Sequence, residues 1–273
     1  VTHDVPGARV EVHSVDGRPL EVSLIDGELR VGYQFTLDGW EGFLEKFRNF
    51  RDKDRADISI AVPRDLDSAI GKLDGSVTKG EISEESTAAE LISDGQYFVA
   101  RAPDKGRADF ALMNNGGART DLNPEADGTV RFGQIFAMQP FANNLVTKAY
   151  SGAEVKAVLE QQFASPGDNK ARVNLMAPSA NFSFAFDRSR PAGQRVVAMM
   201  LDGKPIDPKR TYRVTINNFL ASGGDNFTAL GVGRDAADGG LDLDATEAYL
   251  ATGPKAPKGG RIRDLTPRGW VAK

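Results

Sequence analysis

Strand-length apolar runs and helical apolar stripes follow one another along this chain without strict strand–helix–strand alternation. That ordering constrains the fold most, because a doubly wound sheet needs a crossover helix between each pair of parallel strands. It predicts an α+β fold with mixed or antiparallel sheets flanked by helices. Ala8 to Phe35 alternates apolar and polar residues around Asp16-Gly17 and Asp26-Gly27, the pattern of antiparallel hairpins. Asp38 as an N-cap with Glu41, then Trp40, Phe43, Leu44 and Phe47 on one stripe, predicts a helix. The alternating charges from Arg48 to Asp57 read as its solvated end and a linker. The expected organisation is therefore a β-hairpin segment with a linker helix over 1–55 and one domain over 56–273.

Within that second domain, Ile58 to Val62 reads as a strand stopped by Pro63, and Leu66, Ala69, Ile70 and Leu73 read as a short helix. Thr87 to Val99 reads as a longer helix. Phe110 to Met113 is an apolar run of strand length that ends in Asn114-Asn115-Gly116-Gly117. Ser151 and Glu154 form a capping box, followed by Val155, Val158, Leu159 and Phe163 on one face. Phe182, Phe184 and Phe186 alternate with small residues as in a half-buried strand. Val196 to Leu201 turns at Asp202-Gly203, and Tyr212, Val214 and Ile216 are expected to complete the pair. The Pro-, Gly- and Lys-rich tail from Gly253 is expected to lack regular structure.

Cysteine is absent, which removes disulfides, thiol catalysis and thiolate metal sites. The two histidines, His3 and His13, both lie at the N-terminal end, so the rest of the chain has no imidazole for a proton shuttle or a histidine-rich metal centre. The net charge of −4 argues against a DNA-binding role. No apolar run approaches the roughly 20 residues of a membrane helix. Nucleophile-elbow, phosphate-loop and zinc-protease patterns are missing from the sequence. The chain starts at Val1 with no signal-peptide pattern, and reads as a processed or excised piece of something longer.

Three loops carry chemistry. Asn114-Asn115-Gly116-Gly117-Ala118-Arg119 follows a buried strand; its glycines free the backbone to turn and its arginine can fork onto an anion. Gln139-Pro140-Phe141-Ala142-Asn143-Asn144 puts an aromatic side chain in a loop, followed by two amides. Asn217 to Phe227 carries Phe219, two glycines and Asp225. Two aromatics from different loops can sandwich a flat ring, a carboxylate can accept from ribose hydroxyls, and an arginine can hold a phosphate. The inventory suits nucleotide binding and supplies no nucleophile, base or metal ligand set.

The same loops carry a resemblance to the C-terminal domain of the 5'-nucleotidase and UDP-sugar hydrolase family. The matching stretches are Ala108 to Arg119, Phe132 to Asn144, Asp187-Arg188-Ser189-Arg190-Pro191, and Tyr212 to Phe227, in order and at fitting spacing. The likeness spans about Leu73 to Arg263. It implies that family's C-terminal fold, and a division of labour in which an N-terminal metallophosphatase domain with two divalent metals hydrolyses while the C-terminal domain binds the nucleoside. By resemblance, Phe141 and Phe219 clamp the base and Asp225 binds ribose. Asn114 and Arg119 contact ribose and phosphate, Asn143 the base or sugar, and Gly116 and Gly117 shape their loop.

Two positions depart from the family pattern. Glu84 stands where an arginine usually helps hold the phosphate, and Ala180-Asn181 replaces a glycine that often lines the base pocket. The resemblance therefore implies a nucleotide or nucleoside ligand, no metal or catalytic residue in this chain, a metallophosphatase partner domain, and a periplasmic or secreted bacterial setting. The chain alone is expected to be inactive. The alternative is a non-enzymatic nucleoside-binding or scaffold domain that has lost phosphate recognition.

Overall fold

A computed structural model describes residues 66–163 and 173–270, and before them five strands. The chain divides into two units, Val1–Ser68 and Ala69–Lys273. In the first unit, β1 (Thr2–Val5) pairs antiparallel with β2 (Ala8–Ser14), and β3 (Val22–Ile25) pairs antiparallel with β4 (Glu28–Val31) around Asp26-Gly27. The fifth strand, β5 (Ala56–Val62), runs parallel to β2. The division falls at 68/69, and β5 takes its ladder partner from the N-terminal segment. Among the described strands, β2 is bonded to β1 and β5; the turn expected at Asp16-Gly17 lies outside the described residues. The helix expected from Asp38 lies outside the described residues.

The second unit is α+β with mixed sheets, as the ordering of apolar segments predicts. It begins with β6 (Ala69–Lys72), which pairs with β8 (Thr129–Arg131). The short helix expected around Leu66 to Leu73 is thus a strand. Ala69 of its apolar stripe is exposed, and a Cβ at Gly71 would collide with the Leu250 carbonyl, so this segment runs extended against its neighbours. Helix α1 (Thr87–Ala100) starts at Ser86, whose hydroxyl accepts from the Ala89 N–H at 3.1 Å.

The main sheet has five strands in the order β10-β7-β14-β9-β15. These are β7 (Phe110–Asn114), β9 (Asn144–Ser151), β10 (Met176–Pro178), β14 (Thr211–Asn217) and β15 (Arg234–Leu241). Strand β7 is buried along its whole length, which is why its sequence is continuously apolar rather than alternating. One face of the sheet carries α1 and α5 (Asp242–Leu250). The other meets α3 (Gly152–Glu160), capped by Ser151 and Glu154 as the sequence predicts, and a second sheet.

That second sheet is β13-β12-β11-β16: β11 (Phe182–Phe186), β12 (Val196–Leu201), β13 (Lys204–Pro205) and β16 (Ile262–Asp264). Phe182, Phe184 and Phe186 pack into the core with Phe110, Tyr150, Tyr212 and Val214. Two expectations are corrected here. Strand β12 turns at Asp202-Gly203 into β13, while Tyr212, Val214 and Ile216 belong to β14 in the other sheet. The tail is not irregular throughout, because Ile262–Asp264 runs parallel to β11.

Candidate functional site

Sheet topology gathers the three loops. Strands β7 and β14 are parallel neighbours, with Val214 opposite Phe110, so the loops leaving their C-terminal ends emerge side by side. Strand β9 runs antiparallel to β14, with Leu145 opposite Asn217, so the loop entering β9 arrives at that same edge. The segments 114–119, 139–144 and 217–227 thereby meet at one end of the sheet.

Buried asparagines tie two of them together. Asn217 caps the short helix α4 (Asn218–Ala221), its Oδ1 accepting from the Leu220 N–H at 2.8 Å. Its Nδ2 donates to Asn114 Oδ1 at 3.2 Å, and Asn114 Nδ2 donates to Asp225 Oδ2 at 2.7 Å. Asp225 itself is exposed, with φ of 53°, a left-handed conformation that costs a non-glycine residue about 1 kcal/mol or more. Beside it, Phe219 lies over Gly224, where a Cβ would sit 2.5 Å from the ring. Phe219 is 44 % exposed, whereas Phe227 eight residues on is 1 % exposed and belongs to the core.

The second loop reaches the first through Arg119. Its guanidinium donates to the Gly116 carbonyl at 3.3 Å and stands 5.8 Å from the centre of the Phe141 ring. Phe141 is 48 % exposed, and Ala142 after it has φ of 49°. Gly116 lies close to Asp225: a Cβ on it would be 3.8 Å from Asp225 Oδ2. At Gly117 a Cβ would collide with the buried Met113 methyl. A continuous path therefore runs from Phe141 through Arg119, Gly116 and Asp225 to Gly224 and Phe219.

Asn143 lies off this path. It is half-buried, its carbonyl accepts from the Asp242 N–H at 2.9 Å, and its amide acts on the Asp242 carboxylate. Glu84 is brought to the first loop by its backbone, whose carbonyl accepts from Asn115 Nδ2 at 2.6 Å. Its side chain is exposed.

The sequence reading missed Asn217 as a support, although an asparagine at a strand-to-helix junction is itself an N-cap signal. It missed Lys148, whose Nζ donates to the Ala221 and Leu230 carbonyls at 3.2 and 3.3 Å and ties down the loop that carries Phe219 and Asp225. No local signal marked that role.

The arrangement offers two half-exposed aromatic faces, a free carboxylate oxygen and an arginine. These can bind and orient a flat, polar, anionic molecule. Among the described residues there is no group of three or more His, Cys, Asp or Glu that could hold a metal ion, so these residues do not fit a two-metal centre. No helix among them is long and apolar enough to cross a membrane.

Comparison with known proteins identifies the family of the domain. Residues 70–231 match the family described as 5'-nucleotidase, C-terminal domain. Protein UshA of Yersinia enterocolitica is 28% identical over 222 residues, covering 81% of this chain and 36% of that protein. A probable 5'-nucleotidase of Treponema pallidum is 29% identical over 160 residues, covering 56% of this chain and 25% of that protein. The crystal structure of a 5'-nucleotidase precursor from Thermus thermophilus superposes with a TM-score of 0.62 at 30% identity, covering 72% of this chain and 39% of that one. The chain thus spans about a third or less of the length of these two curated relatives.

Proposed function

The chain belongs to the 5'-nucleotidase family through its C-terminal domain, and from that premise we propose that it is the substrate-recognition part of a nucleotide phosphohydrolase. The base is held between Phe141 and Phe219, Asp225 accepts from the ribose, Arg119 meets the phosphate, and Asn114 fixes Asp225. Asn143 completes the base end of the loop, with Gly116 and Gly117 giving the backbone its close turn. Hydrolysis belongs to a separate metallophosphatase domain with two divalent metals, acting in the periplasm or outside a bacterial cell.

The observation that carries this reading is the pair of half-exposed phenyl rings on loops that the Asn114–Asp225 bond and Arg119 draw together. Stacking on an aromatic side chain contributes about 1–3 kcal/mol per base. Calorimetric titration with adenosine should show binding by the wild-type chain, weakened about tenfold or more in Phe219→Ala. Equal affinity in the two proteins would refute the clamp.

Glu84 favours a second reading, a nucleoside-binding domain without phosphate recognition. Its exposed carboxylate belongs to a backbone that is bonded to the glycine loop. Adenosine binding well ahead of AMP would favour that reading; AMP ahead of adenosine would favour the first.

A further inference from the structure

Helix α5 begins with an acid that the recognition chemistry above does not use. Asp242 is fully buried, and neither of its carboxylate oxygens completes a hydrogen bond. Gln139, the first residue of the Phe141 loop, is also fully buried, and its Nε2 likewise lacks a partner. The two orphans are complementary, an acceptor and a donor. Burial pushes the Asp242 carboxyl up to about 6, and the Gln139 and Asn143 amides pull it the other way, which places both amides beside it.

The remaining contacts of this helix end go to the same loop. The Asp242 N–H donates to the Asn143 carbonyl at 2.9 Å, and the Thr246 hydroxyl, one turn along α5, donates to Gln139 Oε1 at 2.9 Å. Helix α5 therefore holds both ends of the segment whose exposed middle is Phe141-Ala142. Ala142 has a left-handed backbone, a conformation that persists only where the surroundings enforce it. A buried carboxylate whose hydrogen bonds are incomplete costs stability, so packing alone does not account for it.

We propose that Asp242 is a positioning residue for ligand recognition: its carboxylate, acting through Gln139, fixes the loop that presents the Phe141 ring. The ligand part of this inference rests on the nucleotide-recognition reading; the loop part does not. With the loop held, the ring is offered to a base at no further ordering cost.

The test uses Asp242→Ala, Asp242→Asn and Gln139→Leu in the whole chain, each checked for folding by its melting curve. Amide hydrogen exchange of the ligand-free proteins should rise at 141–144 in Asp242→Ala and Gln139→Leu, with 217–227 unchanged. Asp242→Asn, which keeps one acceptor oxygen, should restore protection. Adenosine affinity should fall about tenfold in Asp242→Ala and Gln139→Leu, with affinity for ribose 5-phosphate, which has no base to stack, unaltered. Loss of both ligands together would mean a general structural role and would overturn the proposal, as would exchange at 141–144 that matches wild type in Asp242→Asn and Gln139→Leu alike. If wild type binds no adenosine while the variants still loosen 141–144, the recognition reading fails and the positioning role stands. If Asp242→Ala does not fold, the Gln139→Leu and Asp242→Asn pair decides in its place: loosening in the former and protection in the latter are required.

Discussion

Asn114 and Asp225 stand 111 positions apart in the chain, and a 2.7 Å hydrogen bond joins their side chains at the mouth of the three loops. The bond uses Asp225 Oδ2, while Asn114 Oδ1 is engaged by Asn217, so the carboxylate is aimed by a buried amide that is itself held in place. Removing the donor in Asn114→Ala leaves Asn217 Nδ2 without this acceptor as well. The expected result is a loss of about 1–2 kcal/mol in adenosine binding, roughly tenfold in Kd. Asp225→Ala should go further and abolish the preference for adenosine over its 2',3'-dideoxy analogue. A preference that survives that substitution would remove Asp225 from the ribose site.

Gly224 and Gly117 separate binding from stability. A methyl at Gly224 meets the Phe219 ring, which is nearly half exposed and can swing aside. Gly224→Ala should therefore leave the melting temperature within a few degrees of wild type while weakening adenosine binding. A methyl at Gly117 meets the Met113 methyl, which is fully buried and cannot move freely. Gly117→Ala should cost about 1–3 kcal/mol of stability. Thermal melts and calorimetry on both variants check the contrast, and equal effects on the two readouts would contradict it.

The elements legible from sequence were those whose cause is local. The run Phe110 to Met113 is apolar because both faces of its strand are covered, and Ser151 with Glu154 caps a helix whatever packs on it. The misreadings share a non-local cause. Leu66, Ala69, Ile70 and Leu73 have helical spacing, yet the segment pairs with Thr129–Arg131, some sixty residues on. Tyr212 to Ile216 alternates as a strand, but alternation does not say which sheet it joins, and its antiparallel partners are Val146 to Tyr150. At the site, the loops were visible as contiguous motifs. The supports Lys148 and Asp242 were not, since each matters only through a residue far away in the chain; Asn217 carries a local N-cap signal, but its bond to Asn114 spans 103 positions.

Glu84 allows a charge test of the two functional readings. Its side chain is exposed and its backbone is anchored to Asn115, so Glu84→Arg should shift stability by no more than about 0.5 kcal/mol. If a phosphate sits by the glycine loop, the substitution should raise AMP affinity several-fold over adenosine, and the gain should shrink as salt screens it. An AMP-to-adenosine ratio that does not move would show that no phosphate lies within reach of position 84.

Buried charge beneath helix α1 gives stability a definite pH dependence. Glu90 is fully buried, and burial raises its carboxyl from 4.5 to about 8; Arg261, 3.6 Å away, opposes the rise, while Glu85 and Asp94 add to it. Asp94 is raised by burial too, against a two-pronged bond from Arg261 at 2.8 Å. The folded chain thus keeps a proton on Glu90 that the unfolded chain releases above about 4.5. Stability from this group is fully present below that pH and falls as pH climbs towards 8. Glu154, lowered to about 2 by Arg234, is ionised in both states between pH 6 and 8 and adds almost no slope there. Asp242, at about 6, adds to the slope with the same sign below pH 6. Melting temperature should therefore drop between pH 6 and 8. Glu90→Gln cannot titrate and leaves Arg261 its bond to Asp94, so it should flatten that drop and melt higher than wild type at pH 8, by roughly 5 °C or more if the charge costs on the order of a few kcal/mol. Parallel slopes for the two proteins between pH 6 and 8 would show that Glu90 is already ionised in the folded chain.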